Sequence, residues 1–169
     1  RSWIVDLGCG MGGLARSFAR YVGVDIYLPY LQFARWTTGR PFVAMDATHL
    51  GFREDSFDGA VAVGLSHHLD DDSVRQFAYQ IRRVCRNAAR VIVVDIVRPH
   101  WWNLLERVRQ RWGERGGHIR TAEEYRRLLA LHLLVEKCYP LRSGFLEYSV
   151  VVLRVEKKAW GETDDDESQ

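Results

Sequence analysis

Residues 3–13 read Trp3-Ile4-Val5-Asp6-Leu7-Gly8-Cys9-Gly10-Met11-Gly12-Gly13, and the order of residue types in this stretch decides the fold. A short apolar run, Trp3 to Val5, leads straight into glycines, and Leu14, Ala15, Phe18 and Ala19 then follow at helical spacing. The pattern predicts strand 1 at Trp3 to Leu7, a tight turn, and a helix from Gly13 to Arg20 whose free N–H groups face whatever is bound. Glycine has no Cβ, so backbone there can pass close to a ligand.

Two ligands suit such a turn. Gly8, Gly10 and Gly13 satisfy Gly-x-Gly-x-x-Gly, the dinucleotide fingerprint, which by itself is a weak signal. Asp6 tilts the reading: a carboxylate two residues before the first glycine disfavours a pyrophosphate and suits a cationic, amino-acid-like group.

Outward from the turn, short apolar runs alternate with helical patterns. Strands are expected at Tyr21 to Asp25, Phe42 to Asp46, Phe57 to Val63 and Arg90 to Ile96, with a helix opened by Pro29 through Thr37. Ser73 and Gln76 form a Ser-x-x-Gln capping box behind Asp70 to Asp72, and Val74, Phe77, Ala78, Ile81, Val84 and Cys85 make one apolar stripe. A second box, Thr121 and Glu124, opens a helix through Leu131. Leu133 to Tyr139 and Phe145 to Val155 follow as two strands joined near Pro140 and Gly144, with no helix between them. The pattern gives an α/β protein: a Rossmann-like three-layer αβα sandwich with a mostly parallel seven-stranded sheet.

The length of 169 residues and an apolar share of 47% suit one domain, 1–157, followed by an acidic tail, 158–169, expected to be disordered. There is no run of about 18 uncharged apolar residues, so no spanning helix is expected, and the reading is of a cytoplasmic protein. Cys9, Cys85 and Cys138 have neither disulfide nor zinc spacing, and no metal is expected. Arginine outnumbers lysine 21 to 3, but the arginines scatter over predicted helices as solvated faces, so no nucleic-acid partner is expected.

If strand 1 binds a nucleoside, the neighbouring strand tips line the same crevice. Asp25, at the tip of strand 2, is placed to accept from both ribose hydroxyls, and Ile26 to cover the adenine face. Asp46 can accept from the exocyclic amine while the N–H of Ala47 reaches a ring nitrogen. Gly64 ends strand 4 on the same edge.

Asp6-Leu7-Gly8-Cys9-Gly10, Gly23-Val24-Asp25, Asp46-Ala47, and Phe57-Asp58-Gly59-Ala60-Val61 leading to His67-His68-Leu69-Asp70 together resemble the type 11 group of class I S-adenosylmethionine-dependent methyltransferases. The resemblance covers residues 1 to about 157. It implies sheet order 3-2-1-4-5-7-6 with strand 7 antiparallel. It also implies S-adenosyl-L-methionine as cofactor with S-adenosyl-L-homocysteine as product, and a cofactor site of Asp6, Gly8, Cys9, Gly10, Asp25, Ile26, Asp46, Ala47 and Gly64. Members usually carry a helix or more before strand 1, which this sequence does not show. Either the sequence is a trimmed piece of a longer chain, or part of the roof over the cofactor comes from elsewhere in the chain or from a partner.

Methyl transfer needs alignment of acceptor and methyl group, plus proton removal when the acceptor is a hydroxyl or an acidic carbon. His67 and His118 are the candidate bases, with His68 and His100 nearby. No Asn-Pro-Pro-Tyr element follows strand 4, which argues against the enzymes that methylate amino groups of adenine and glutamine. Trp101, Leu104, Leu105, Val108 and Trp112 form one helical stripe with Trp102 beside it. This is either packing, an acceptor lid with Trp101 and Trp102 as its aromatic wall, or a peripheral membrane or protein contact through 100–115. The expected function is methyl transfer to O or C of a small organic acceptor with an apolar or aromatic part. The alternatives are a non-catalytic methyltransferase-like cofactor-binding subunit and an NAD-dependent oxidoreductase, the latter disfavoured by Asp6 and the terminal strand pair.

Overall fold

The computed structural model describes residues 2–98, 117–144 and 146–157. Seven strands form one sheet: β1 (Trp3–Leu7), β2 (Arg20–Asp25), β3 (Phe42–Ala44), β4 (Phe57–Val63), β5 (Cys85–Ile96), β6 (Leu134–Ser143) and β7 (Leu146–Arg154). Their order is β3-β2-β1-β4-β5-β7-β6. The pairs from β3 to β5 are parallel, and β7 is antiparallel to both β5 and β6. This is the architecture and strand order expected from the sequence.

The helices follow from local chemistry. In α1 (Leu28–Thr38), proline lies in the first turn and Gly39, at φ 66°, ends the helix by donating its N–H to the Arg35 carbonyl. In α2 (Asp71–Val84), Val74, Phe77, Ala78, Ile81 and Val84 are buried on one stripe. In α3 (Ala122–Leu129), Thr121 and Glu124 form the full reciprocal capping box. α2 and α3 cover the face of the sheet that carries Val5, Leu7, Ala60, Ala62, Val91, Val93, Val151 and Leu153. On the opposite face, Tyr21 and Phe42 pack under Cys9, Ala15 and the α1 residues Leu31 and Ala34.

Several boundaries differ from the sequence expectation. The largest difference is at 13–20, where a helix was expected and successive turns are found: Gly12, Ala15 and Ser17 donate to the carbonyls three residues earlier. Gly10 and Gly12 have φ of 51° and 79°, so the chain leaves the right-handed helical region just where the helix would nucleate. Gly12 is needed there for space as well. A Cβ on it would lie 2.8 Å from Phe42 Cζ and 3.0 Å from Ala34 Cβ, so the turn is pressed onto α1 and β3.

The cap of α2 is Asp70 instead of Ser73, because the Asp70 carboxylate accepts the Ser73 N–H three residues on, and the helix begins earlier. β3 stops at Ala44, short of Asp46, and α3 stops at Leu129, short of Leu131. β5 begins at Cys85, five residues before the expected start, through an irregular stretch in which Ala88 has φ 62°. No helix among the described residues is long and apolar enough to cross a membrane.

Candidate active site

The C-terminal ends of β1, β2 and β4 gather the candidate residues along one edge of the sheet. Gly8 and Cys9 both donate their N–H groups to the Val24 carbonyl, at 2.8 and 2.9 Å, which ties the glycine turn to β2. Gly8 has φ 72°, and a Cβ there would lie 2.9 Å from Leu65 Cδ1, so the turn also abuts the loop after β4. Gly10 is different: among the described residues nothing stands within 4 Å of where its Cβ would be, so they leave the space over the turn open.

Asp25 holds this turn in shape. Its Oδ2 accepts the Gly10 N–H at 2.9 Å and its Oδ1 accepts the Tyr27 N–H at 2.8 Å. Each carboxylate oxygen has a second lone pair, so one face of Asp25 can still receive hydroxyl donors. Ile26, beside it, is 74% exposed, an apolar side chain in solvent at the mouth of the crevice. Asp46 lies two residues beyond β3 and is exposed. Its Oδ1 accepts from both the N–H and the hydroxyl of Thr48, fixing the carboxylate in a local turn ahead of buried Ala47.

Asp6 sits below the turn, not in the open. It is buried, and its Oδ2 accepts the Tyr21 hydroxyl at 2.6 Å. Burial, opposed by that hydrogen bond and reinforced by the Asp25 charge, pushes its carboxyl up to about 6. Burial and then the Asp6 and Asp25 carboxylates push the Cys9 thiol up to about 12, which keeps it a neutral packing residue at ordinary pH.

After β4, Gly64 (φ 69°) donates to the Val94 carbonyl and the chain turns through a short 3-10 segment, Ser66–His68. His67 is mostly enclosed, with Nδ1 2.6 Å from Asp95 Oδ1 and its ring 4.0 Å from that of His68. His118, exposed, meets the same loop through its backbone N–H, which donates to the His67 carbonyl. Buried Arg120 pins the loop from behind, donating to the carbonyls of Ser66, Leu69 and His118 and pairing with Asp71. The structure thus brings Gly8, Cys9, Gly10 and Asp25 into direct contact and sets Gly64 and His67 beside them through Leu65. Trp101, Trp102 and His100, with the rest of 99–116 and the tail 158–169, lie outside the described residues.

Three functional-edge residues escaped the sequence reading: Tyr21, Asp95 and Arg120. Asp95 left one trace, a single carboxylate inside the apolar run Val91 to Ile96, since charge in a buried strand is retained only with partners. The open space over Gly10, the half-free Asp25 carboxylate and the exposed Ile26 suit a nucleoside with a vicinal diol. Buried, acid Asp6 suits a cationic group above it. Together these residues fit S-adenosylmethionine, which when bound supplies an already activated methyl group.

Comparisons with known proteins bear on the family and the fold. A family model described as a methyltransferase domain matches residues 5–93. The chain is 34% identical over 110 residues to O-methyltransferase cnsE of Penicillium expansum, covering 57% of this chain and 39% of that protein. It is 31% identical over 96 residues to a tRNA (carboxymethyluridine(34)-5-O)-methyltransferase of Arabidopsis thaliana, covering 54% of this chain and 23% of that protein. The chain therefore spans well under half the length of these relatives. Its fold superposes on a crystal structure of a SAM-dependent methyltransferase from Methanosarcina mazei with a TM-score of 0.78 at 19% identity, covering 92% of each chain.

Proposed function

We propose, since this chain belongs to the methyltransferase domain family, that it transfers the methyl group of S-adenosylmethionine to O or C of a small organic acceptor with an apolar or aromatic part. The observation that carries the cofactor half is Asp25: a carboxylate at the tip of β2 that reaches across to Gly10 N–H while keeping lone pairs toward the crevice. In this reading Asp25 receives the ribose hydroxyls, Ile26 covers the adenine, and Asp46 and Ala47 read its edge. Gly8, Cys9, Gly10 and Gly64 let the backbone approach, and Asp6 sets a negative potential beneath the amino-acid part. In the same reading His67 takes a proton from the acceptor, and exposed His118, whose backbone N–H donates to the His67 carbonyl, is the second candidate.

Calorimetry with S-adenosylhomocysteine tests this directly. Asp25→Ala is expected to weaken binding at least about tenfold, the scale of one or two charge-assisted hydrogen bonds. Unchanged affinity removes the ribose role, and tight NAD binding in place of S-adenosylhomocysteine removes the whole reading.

A second reading, an acceptor carried on RNA, has one observation in its favour besides the tRNA-methylating relative. A cavity of about 450 Å³ behind the His67 loop is lined by Arg75, Arg98, Arg120 and Arg127 against Asp71 and Glu124. Steep loss of acceptor affinity between low and moderate salt would favour it, because phosphate contacts release counterions.

A further inference from the structure

The proton acceptor named above has a partner in the sheet that no motif marks. Asp95 lies one residue before the end of β5 and is 2% exposed. Its Oδ2 accepts from the backbone N–H groups of Ser66 at 2.5 Å and His67 at 3.2 Å. Its Oδ1 accepts the Ile96 N–H at 2.8 Å and stands 2.6 Å from His67 Nδ1. With backbone donors on both oxygens, the carboxylate presents only acceptors to the ring, so Nδ1 carries the hydrogen. In the neutral imidazole the other nitrogen, Nε2, is then bare.

The ring has little freedom to do otherwise. Its own backbone N–H is held by the same carboxylate, its carbonyl accepts from His118, and Arg120 binds the preceding carbonyl. Cε1, the carbon next to Nε2, lies 3.9 Å from where a Cβ on Gly64 would stand. Cε1, bonded to both ring nitrogens, is thus the ring atom at the β4 tip, and the next residue after Gly64, Leu65, abuts Gly8 of the turn assigned to the cofactor.

We infer that Asp95 is a positioning residue, which locks His67 in the Nδ1–H tautomer and thereby selects hydroxyl acceptors, phenolic or enolic, over carboxylate, thiolate and amine acceptors. The inference rests on the methyl-transfer reading of this site. A carboxylate or thiolate acceptor arrives already charged, and an amine attacks through a free lone pair and sheds its proton afterwards. A weakly acidic hydroxyl gains most from a base aligned in the transition state. In the step, the acceptor oxygen forms the new O–C bond to the methyl carbon while the C–S bond breaks, its electron pair staying on sulfur, and the hydroxyl proton passes to His67 Nε2. The arrangement uses a carboxylate to fix the tautomer of a basic histidine, as in hydrolase triads.

Asp95→Asn tests this with a spectroscopic signature. Asparagine satisfies more of its backbone donors with its oxygen toward Ser66 and His67, which leaves the single Ile96 N–H facing the NH2. That turns its NH2 toward His67 Nδ1, which can adapt only by exchanging tautomer. In the neutral ring, 15N spectra of the full chain are expected to show Nδ1 protonated and Nε2 bare in the wild type, and the reverse in Asp95→Asn. Adding 2-naphthol to the wild-type S-adenosylhomocysteine complex should shift the Nε2 resonance, whereas 2-methoxynaphthalene, which cannot donate, should not. With S-adenosylmethionine, naphthol methylation should fall about a hundredfold in kcat for Asp95→Asn, with KM little changed, because the loss is of a correctly held base.

A wild-type ring bare at Nδ1, or identical Nε2 responses to the two naphthalenes, overturns the inference even if the variant fails to fold. S-adenosylhomocysteine titration of the same wild-type sample stands apart. No binding there removes the methyl-transfer reading itself, whatever the tautomer.

Discussion

The two halves of the sheet build their functional edges in different ways. Over β1 to β3, the edge is made of backbone: glycine positions, strand tips, and a turn whose N–H groups are held by Val24 and Asp25. Over β4, β5 and the return through Arg120, it is made of buried polar side chains that hold a loop, Asp95 from the sheet and Arg120 from outside it. The first half should tolerate changes away from its glycines and carboxylates and report them as lost ligand affinity. The second should report damage first as lost stability, since its partners are buried.

Arg120→Met is the severest test of that contrast. It strands the carbonyls of Ser66, Leu69 and His118 in a buried setting, and a loss of about 3 kcal/mol in urea unfolding is expected. The Asp71 half of the ion pair is 62% exposed and adds little to this figure. A loss under about 0.5 kcal/mol, the range of an ordinary surface change, would erase the distinction between the halves.

Next in size is a pH effect confined to the first half. The Asp6 carboxyl stands at about 6 in the folded chain, above its ordinary 3.8. Its contribution to folding is therefore fullest below pH 4 and lost as pH rises through 6, while the charge that favours a cationic ligand appears over that same rise. S-adenosylhomocysteine should bind up to about tenfold more weakly at pH 5 than at pH 7, the ratio of ionised fractions for a group titrating near 6. Asp6→Asn should flatten that slope; a slope that survives assigns it to another group. The smallest effect expected is for Thr121→Ala, which removes the α3 cap and should cost about 1 kcal/mol with no change in cofactor affinity.

The same contrast explains what could be read in the sequence. The strands themselves, and the two that end the sheet with no helix between them, were legible because their signals are local, apolar runs bounded by turn residues, whereas their order followed from the family resemblance. The helix expected at 13–20 misled because Leu14, Ala15, Phe18 and Ala19 keep helical spacing while Gly10 and Gly12 impose positive φ just before them. Asp95 and Arg120 were not legible, since the loop partners they hold lie 28 or 29 and 49 to 54 residues away and only folding brings them together. The Tyr21 hydroxyl on Asp6 is a 15-residue contact across neighbouring strands, visible only once β1 and β2 are in register.

One consequence follows from Asp25 serving as the clasp of the glycine turn. A descendant of this chain that had stopped binding any ligand would still be selected to keep that carboxylate, because losing it frees the Gly10 and Tyr27 N–H groups. Asp6 has the opposite evolutionary standing: it is held in the core at a cost in solvation, relieved within the described residues only by one phenol. Among relatives of this chain, replacement of Asp6 by an uncharged residue with Asp25 intact would therefore mark the lineages where the site has fallen out of use.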